Sequence, residues 1–200
     1  MKIGPKYKIA RRVGAPIFEK TQTQKYALRA ERKTKTTRFG KQKSEFGIQL
    51  NEKQKARLIY GLSEKQFSNY VKEALNKKTV RPTQSIFEFL ELRADNIVYR
   101  LGLTSTRRAA RQMVSHGHIT INGKRVTIPS QRLSVGDSIS VREGSLGKGL
   151  FAGDSGPKTI APLWLSFDYQ KKSAKVQGLP QLVSTENMFD LNAVIEFYSR

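Results

Sequence analysis

The chain has 200 residues, 37 Lys and Arg against 16 Asp and Glu, and no cysteine. That length supports one or two domains with a real core, and a net charge of +21 calls for a polyanionic partner, with RNA or DNA favoured over an acidic protein. Disulfides and thiolate zinc sites are excluded. No signal-like or membrane-length apolar run occurs, so a cytoplasmic chain with no membrane partner is expected.

The charge is concentrated. Residues 1–43 hold 14 basic residues against two acidic ones, and 93–143 hold nine against three, whereas 44–92 and 144–200 are nearly balanced. The first segment lacks sustained apolar periodicity and is expected to order only on its partner. Its aromatic residues Tyr7, Phe18, Tyr26 and Phe39 lie among the cations, where they can stack on bases or anchor the segment to the next domain.

From Leu50 two helices are expected, opened by the cap pairs Asn51/Gln54 and Ser63/Gln66, with Gly61 ending the first. Phe67, Tyr70, Val71, Ala74 and Leu75 mark the buried face of the second. Pro82 interrupts the pattern, and a single third helix is expected from about Ser85, striped by Phe89, Leu90, Ala94, Ile97, Val98 and Leu101 and closed by Gly102.

A fourth helix starts after Thr104 or Ser105 and ends by Gly117. Short strands follow at 119–121, 126–128 and 139–141, with a hairpin at Asn122-Gly123 and a turn at 135–137. Residues 144–157 carry five glycines and read as a mobile loop, 164–169 as a further strand, and 190–200 as a last helix. Leu191, Val194, Ile195 and Tyr198 of that helix can return to the N-terminal helices. The fold class is α+β.

The two histidines, His116 and His118, flank Gly117, but zinc normally takes three or four protein ligands and no cysteine or adjacent carboxylate supplies them. No nucleophile, base and acid fall together, and no phosphate-binding Walker sequence occurs. Asp95 reads as an early-helix acid favoured by the macrodipole or paired with Arg93 or Arg100 rather than a catalytic carboxylate. On the fourth helix Arg107, Arg108 and Arg111 share one arc, and Ala109, Ala110, Met113 and Val114 the other, so one face packs and one is cationic. Arg107 and Arg111 can straddle successive phosphates, and the helix N-terminus at Thr104, Ser105 and Thr106 adds free amides.

The run RADNIVYRLG at 93–102, followed by TRRAARQMVSHGHITINGKRV, resembles the RNA-binding module named after small-subunit ribosomal protein four. GPKYKIARR at 4–12, SEFGIQLNEKQKARLIYGLSEKQFSNY at 44–70 and VIEFYSR at 194–200 resemble that family's N-terminal arm, helical domain and C-terminal end, so nearly the whole chain is covered in order. The resemblance implies a basic arm over 1–43, a helical domain over 44–92 completed by 184–200, and an inserted αα-β module over 93–183. It implies a structural constituent of the small ribosomal subunit, in a cytoplasmic or organellar ribosome. Such a protein binds the 5′ domain of small-subunit ribosomal RNA early in assembly, beside ribosomal proteins three and five and the messenger entry channel, and influences translational accuracy.

Residues expected to touch RNA are Lys6, Lys8, Arg11, Arg12 and Arg38 in the arm, and Lys53, Lys55, Arg57, Tyr60 and Asn69 in the helical domain. In the module they are Arg100, Thr106, Arg107, Arg108, Arg111, Gln112, Ser115, His116, Asn122, Lys124 and Arg125. Lys41 and Lys43 are candidates for messenger-facing cations. Many relatives carry an N-terminal cysteine cluster for zinc or iron-sulfur; this chain has no cysteine, and no cofactor is expected. The same module occurs in enzymes, but fewer than about 60 residues remain outside the assigned parts, too few for a catalytic domain. A free RNA chaperone or translational regulator is the competing reading, and a DNA-binding architectural protein fits the charge but not the module.

Overall fold

The computed structural model describes residues 3–36, 44–77, 81–147, 161–182 and 188–199. The chain divides into two compact units, one of residues 1–86 with 183–200 and one of residues 87–182. The α+β character follows from helices in both units and an antiparallel sheet in the second.

In the first unit the basic N-terminal segment, for which order was expected only on a partner, is helical over much of its described length. α1 spans Lys6–Val13, a 3-10 turn spans Glu19–Thr21, and α2 spans Gln24–Thr36. The few apolar side chains among the cations suffice for a small core: Ala10, Val13, Ile17 and Phe18 bury against Leu58. Gly14, at φ 77, closes α1 by donating its N–H to Ala10.

The helix expected from Asn51 begins earlier. α3 spans Glu45–Ile59, and its cap is Ser44, whose hydroxyl accepts from the Gly47 N–H at 3.2 Å. Asn51 lies inside the helix, so the Asn51/Gln54 spacing is coincidental. Gly61, at φ 62, ends it in a Schellman arrangement, with Leu62 N–H on the Arg57 carbonyl and Gly61 N–H on that of Leu58. α4 spans Glu64–Asn76 behind the expected cap, Ser63, and buries Phe67, Tyr70, Val71 and Ala74, with Leu75 half-buried.

The C-terminal helix α9, Leu191–Tyr198, is capped by Asp190 and packs on α3 and α4, as its apolar spacing implied. Gln49 donates to Glu196 at 2.9 Å, the Phe46 and Phe197 rings lie 5.5 Å apart, and the Tyr198 hydroxyl donates to Glu64 at 3.1 Å.

The expected single third helix is two helices. α5 spans Pro82–Glu91, with proline at a first-turn position where its missing N–H is no loss. α6 spans Ala94–Arg100. Between them Arg93 is extended, at φ −70 and ψ 139, and bridges Arg132. The backbone there bonds a loop: Leu133 N–H reaches the Leu92 carbonyl, and Ala94 and Asp95 N–H groups reach the carbonyls of Gln131 and Pro129. Apolar spacing runs through this break because both helices bury apolar side chains, Phe89 and Leu90 on α5 and Ala94, Ile97 and Val98 on α6.

α7 spans Arg107–Ser115, capped by Thr106, whose hydroxyl accepts from Ala109 N–H at 3.1 Å. The strands are β1 (Ile119–Ile121), β2 (Lys124–Val126), β3 (Ser138–Val141), β4 (Leu165–Asp168) and β5 (Ser173–Val176), in the order β2-β1-β3-β5-β4, all antiparallel. The strand expected at 126–128 stops at Val126, and Ile128 is exposed. β5 and the short helix α8, Glu143–Leu146, had no sequence signal strong enough to anticipate. Most of the expected glycine-rich loop lies outside the described residues.

One sheet face, carrying Ile119, Ile121, Val126, Ile139, Val141, Leu165, Ala174 and Val176, packs on Ile97, Val98, Leu101, Ala110, Met113 and Val114 of the two helices. The other face carries polar residues in register: Arg125 opposite Thr120, Thr120 opposite Ser140, and Ser140 opposite Ser173. This alternation is what a half-buried antiparallel sheet requires.

Candidate nucleic-acid interface

The arginines of the second unit fall into two groups. One group is held by a buried acidic network. Asp95 takes two bonds from Arg93, Nε to Oδ1 at 2.9 Å and Nη2 to Oδ2 at 2.8 Å, and also receives Arg111 Nε at 2.9 Å. Glu91, only 1% exposed, takes Arg100 in a bidentate pair at 2.8 Å and the Asn96 amide at 3.0 Å. Asn96 Oδ1 in turn accepts Arg107 Nε at 2.9 Å, and the Arg107 guanidinium lies 4.3 Å from the centroid of Tyr99.

Charges this far from water are stable only when paired and hydrogen-bonded. The placement of Asp95 agrees with a structural acid, paired with Arg93; its second partner is Arg111, while Arg100 goes to Glu91. Arg107 and Arg111, expected to straddle phosphates, are therefore engaged with the first turn of α6.

The second group faces water. Arg108, Gln112, Ser115 and His116 are exposed at spacings of four, three and one, which is a single helical stripe. The sequence placed Arg108 with Arg107 and Arg111 on one arc; the structure separates it from them. At the end of the stripe His116 caps α7, Gly117 turns at φ 71, and Gly117 and His118 donate to the Val114 and Met113 carbonyls. His118 Nδ1 lies 3.0 Å from the Ser145 hydroxyl and is half-buried.

The hairpin continues this face. Asn122 at φ 50 and Gly123 at φ 77 form the two-residue turn that the dipeptide predicted. Lys124 and Arg125 are exposed, and Arg125 Nη2 donates to the His116 carbonyl at 3.3 Å, joining hairpin to helix end. A Cβ on Gly117 would lie 2.1 Å from Arg125 Nε, so glycine there gives Arg125 its path. The Asn122 side chain is turned to the sheet instead, donating to Asp137 at 2.8 Å and accepting from Ser138 N–H at 2.9 Å. The bonds from Ser134 N–H and Asn122 hold the Asp137 carboxyl below its usual value.

In the first unit the expected residues again divide. Lys53 is 7% exposed, with Nζ 2.6 Å from Glu64 and 4.2 Å from the Phe197 centroid. Lys55 pairs with Glu52, Arg57 with Gln54 and Glu64, and Tyr60 is buried against Phe189. Burial pulls Glu64 upward, but the hydrogen bond and charge of Lys53, the Tyr198 hydroxyl and the charge of Arg57 together hold its carboxyl below the usual value. Burial first, then the neighbouring Glu64 charge, raises the Tyr198 phenol.

These four expected residues are parts of the helical packing. Asn69 is exposed, as are Lys8, Arg11 and Arg12 on α1, whereas Lys6 is half-buried over the Phe18 ring at 5.5 Å. The exposed ring of Tyr7 stacks on Tyr26 at 5.8 Å, beside a groove also lined by Arg11, Lys25 and Arg29. Arg38, Lys41 and Lys43 lie outside the described residues.

Among the described residues no group of three or more His, Cys, Asp or Glu is placed to hold a metal, and no helix is long and apolar enough to cross a membrane. Residues 1–91 match the family described as ribosomal protein S4/S9 N-terminal domain, and residues 92–139 match the S4 domain. The small ribosomal subunit protein uS4 of Amoebophilus asiaticus is 42% identical, with 99% of this chain and 98% of the relative covered. The protein of the same name from Listeria monocytogenes serotype 4a is 40% identical, with 98% of each chain covered, and that of Lactiplantibacillus plantarum is 40% identical over 98% and 97%. With both domains matched in sequence and likeness extending along nearly all of its length, the chain belongs to the ribosomal protein S4 family.

Proposed function

We propose that the protein is a structural constituent of the small ribosomal subunit that binds the 5′ domain of the small-subunit ribosomal RNA. It enters early, nucleates assembly, sits beside ribosomal proteins three and five near the messenger entry channel, and influences translational accuracy. The observation that carries the RNA-binding part of this reading is the exposed stripe Arg108, Gln112, Ser115 and His116, tied through the Arg125 to His116 bond to the cationic hairpin. It is a solvent-exposed set of polar and cationic side chains on a module matched by the S4 domain.

The exposed Lys8, Arg11 and Arg12 of α1, with the stacked Tyr7, supply a second basic surface suited to the RNA backbone and unpaired bases. Phosphate contacts dominate, so the interaction is salt-dependent and reads RNA shape more than sequence. The tagged chain should co-sediment stoichiometrically with small ribosomal subunits through a high-salt wash. Loose or absent association would leave a free RNA chaperone or translational regulator as the better description.

A further inference from the structure

The hairpin tip holds an asparagine followed by glycine, a pair prone to spontaneous loss of the side-chain amide because glycine leaves its own backbone nitrogen unhindered. Asn122 is exposed, yet its amide is gripped. Nδ2 donates to Asp137 Oδ1 at 2.8 Å, and Oδ1 accepts from the Ser138 N–H at 2.9 Å and from the Ser138 hydroxyl at 3.2 Å. Asp137 is itself fixed by the Ser134 N–H at 2.7 Å. An amide held by three bonds, one to Asp137 and two to Ser138, cannot swing its Cγ onto the Gly123 nitrogen without breaking them.

We propose that Asn122-Gly123 is a deamidation site that the Asp137–Ser138 clasp keeps closed, so that hairpin opening converts the tip irreversibly into an acidic one. In the reaction the Gly123 nitrogen loses its proton to solvent base and bonds to Asn122 Cγ. The Cγ–Nδ2 bond breaks, and the amide leaves as ammonia after taking up a proton. Water then opens the resulting succinimide at either carbonyl, giving aspartate or isoaspartate without oxidation or reduction. The new carboxylate lacks the Nδ2 donor and faces Asp137 across the same short gap, so the clasp cannot re-form. The negative charge also sits two and three residues from Lys124 and Arg125.

The test is peptide mass spectrometry of the full-length protein incubated at mildly alkaline pH, following conversion at Asn122. The folded wild type should react about tenfold or more slowly than the same chain in guanidinium chloride. Asp137→Ala should recover most of that difference, while Asp137→Asn, which retains an acceptor oxygen, stays slow. If Asp137→Ala does not fold, Ser138→Ala, which removes only the hydroxyl contact, should accelerate the reaction measurably. Equal rates folded and unfolded, or no acceleration in the folded variants, would overturn the proposal. RNA binding by Asn122→Asp is a separate measurement that rests on the proposed function. Unchanged affinity there would count against the RNA surface and not against the deamidation chemistry.

Discussion

Arg111 directs both Nε and Nη2 to one oxygen, Oδ2 of Asp95, at 2.9 and 2.8 Å, while Arg108 on the same helix is exposed. This contact ties α7 to the first turn of α6 and shares Asp95 with the buried Arg93. Asp95→Ala should leave the Arg93 guanidinium buried without its acid, a loss of about 3–5 kcal/mol. Arg111→Gln should cost less, about 1–2 kcal/mol, because Arg93 still neutralises Asp95 and Arg111 is partly solvated. Guanidinium unfolding of both variants checks the order, and a larger loss for Arg111→Gln would contradict the sharing.

Gly117→Ala links turn to hairpin. A side chain at φ 71 costs about 1–2 kcal/mol, and the added Cβ must displace Arg125. Lower stability should therefore accompany weaker RNA binding. Stability lost with affinity intact would show that the position of Arg125 is immaterial.

Glu64 gives an acid-dependent contribution of definite sign. Its folded value lies below the usual 4.5, so the stabilisation is present above that value and is lost as pH falls through the folded one. Glu64→Gln should be less stable than wild type at neutral pH, and the difference should shrink on acidification. Urea unfolding across that range measures it; a constant difference would mean that the charge of Glu64 is not what Lys53 and Arg57 hold.

Local signals carried much of the fold. Ser63 before α4, Gly61 and Gly102 after their helices, Asn122-Gly123 and the final apolar spacing all act through neighbours a few residues away, and each appears where the sequence places it. The Asn51/Gln54 pair shows the limit: the same residue types occur within a helix already started by Ser44. The break at Arg93 depends on backbone bonds to residues 129–133, a partner about forty residues away that no local period encodes.

The candidate site was legible to the same depth. Arg107, Arg108 and Arg111 share an arc by helical geometry, but only the structure shows Asp95 and Asn96 opposite two of them. A hint lay in the sequence: an acid and an amide adjoining within an apolar helical stripe must have partners if buried. For Lys53 the sequence held no such hint, since the Phe197 and Tyr198 rings beside it come from the C-terminal helix α9.

The exposed stripe and hairpin are the central claim, and salt dependence tests it most directly. Binding to the 5′ domain of small-subunit ribosomal RNA should be titrated across salt concentration for the Arg108→Gln, Lys124→Gln, Arg125→Gln triple variant and for wild type. Each lost phosphate contact should reduce the log-log slope by about 0.7–0.9, so the triple variant should be shallower by about 2–3, with stability nearly unchanged. A triple variant that keeps the wild-type affinity and slope would contradict the assignment of this face to RNA.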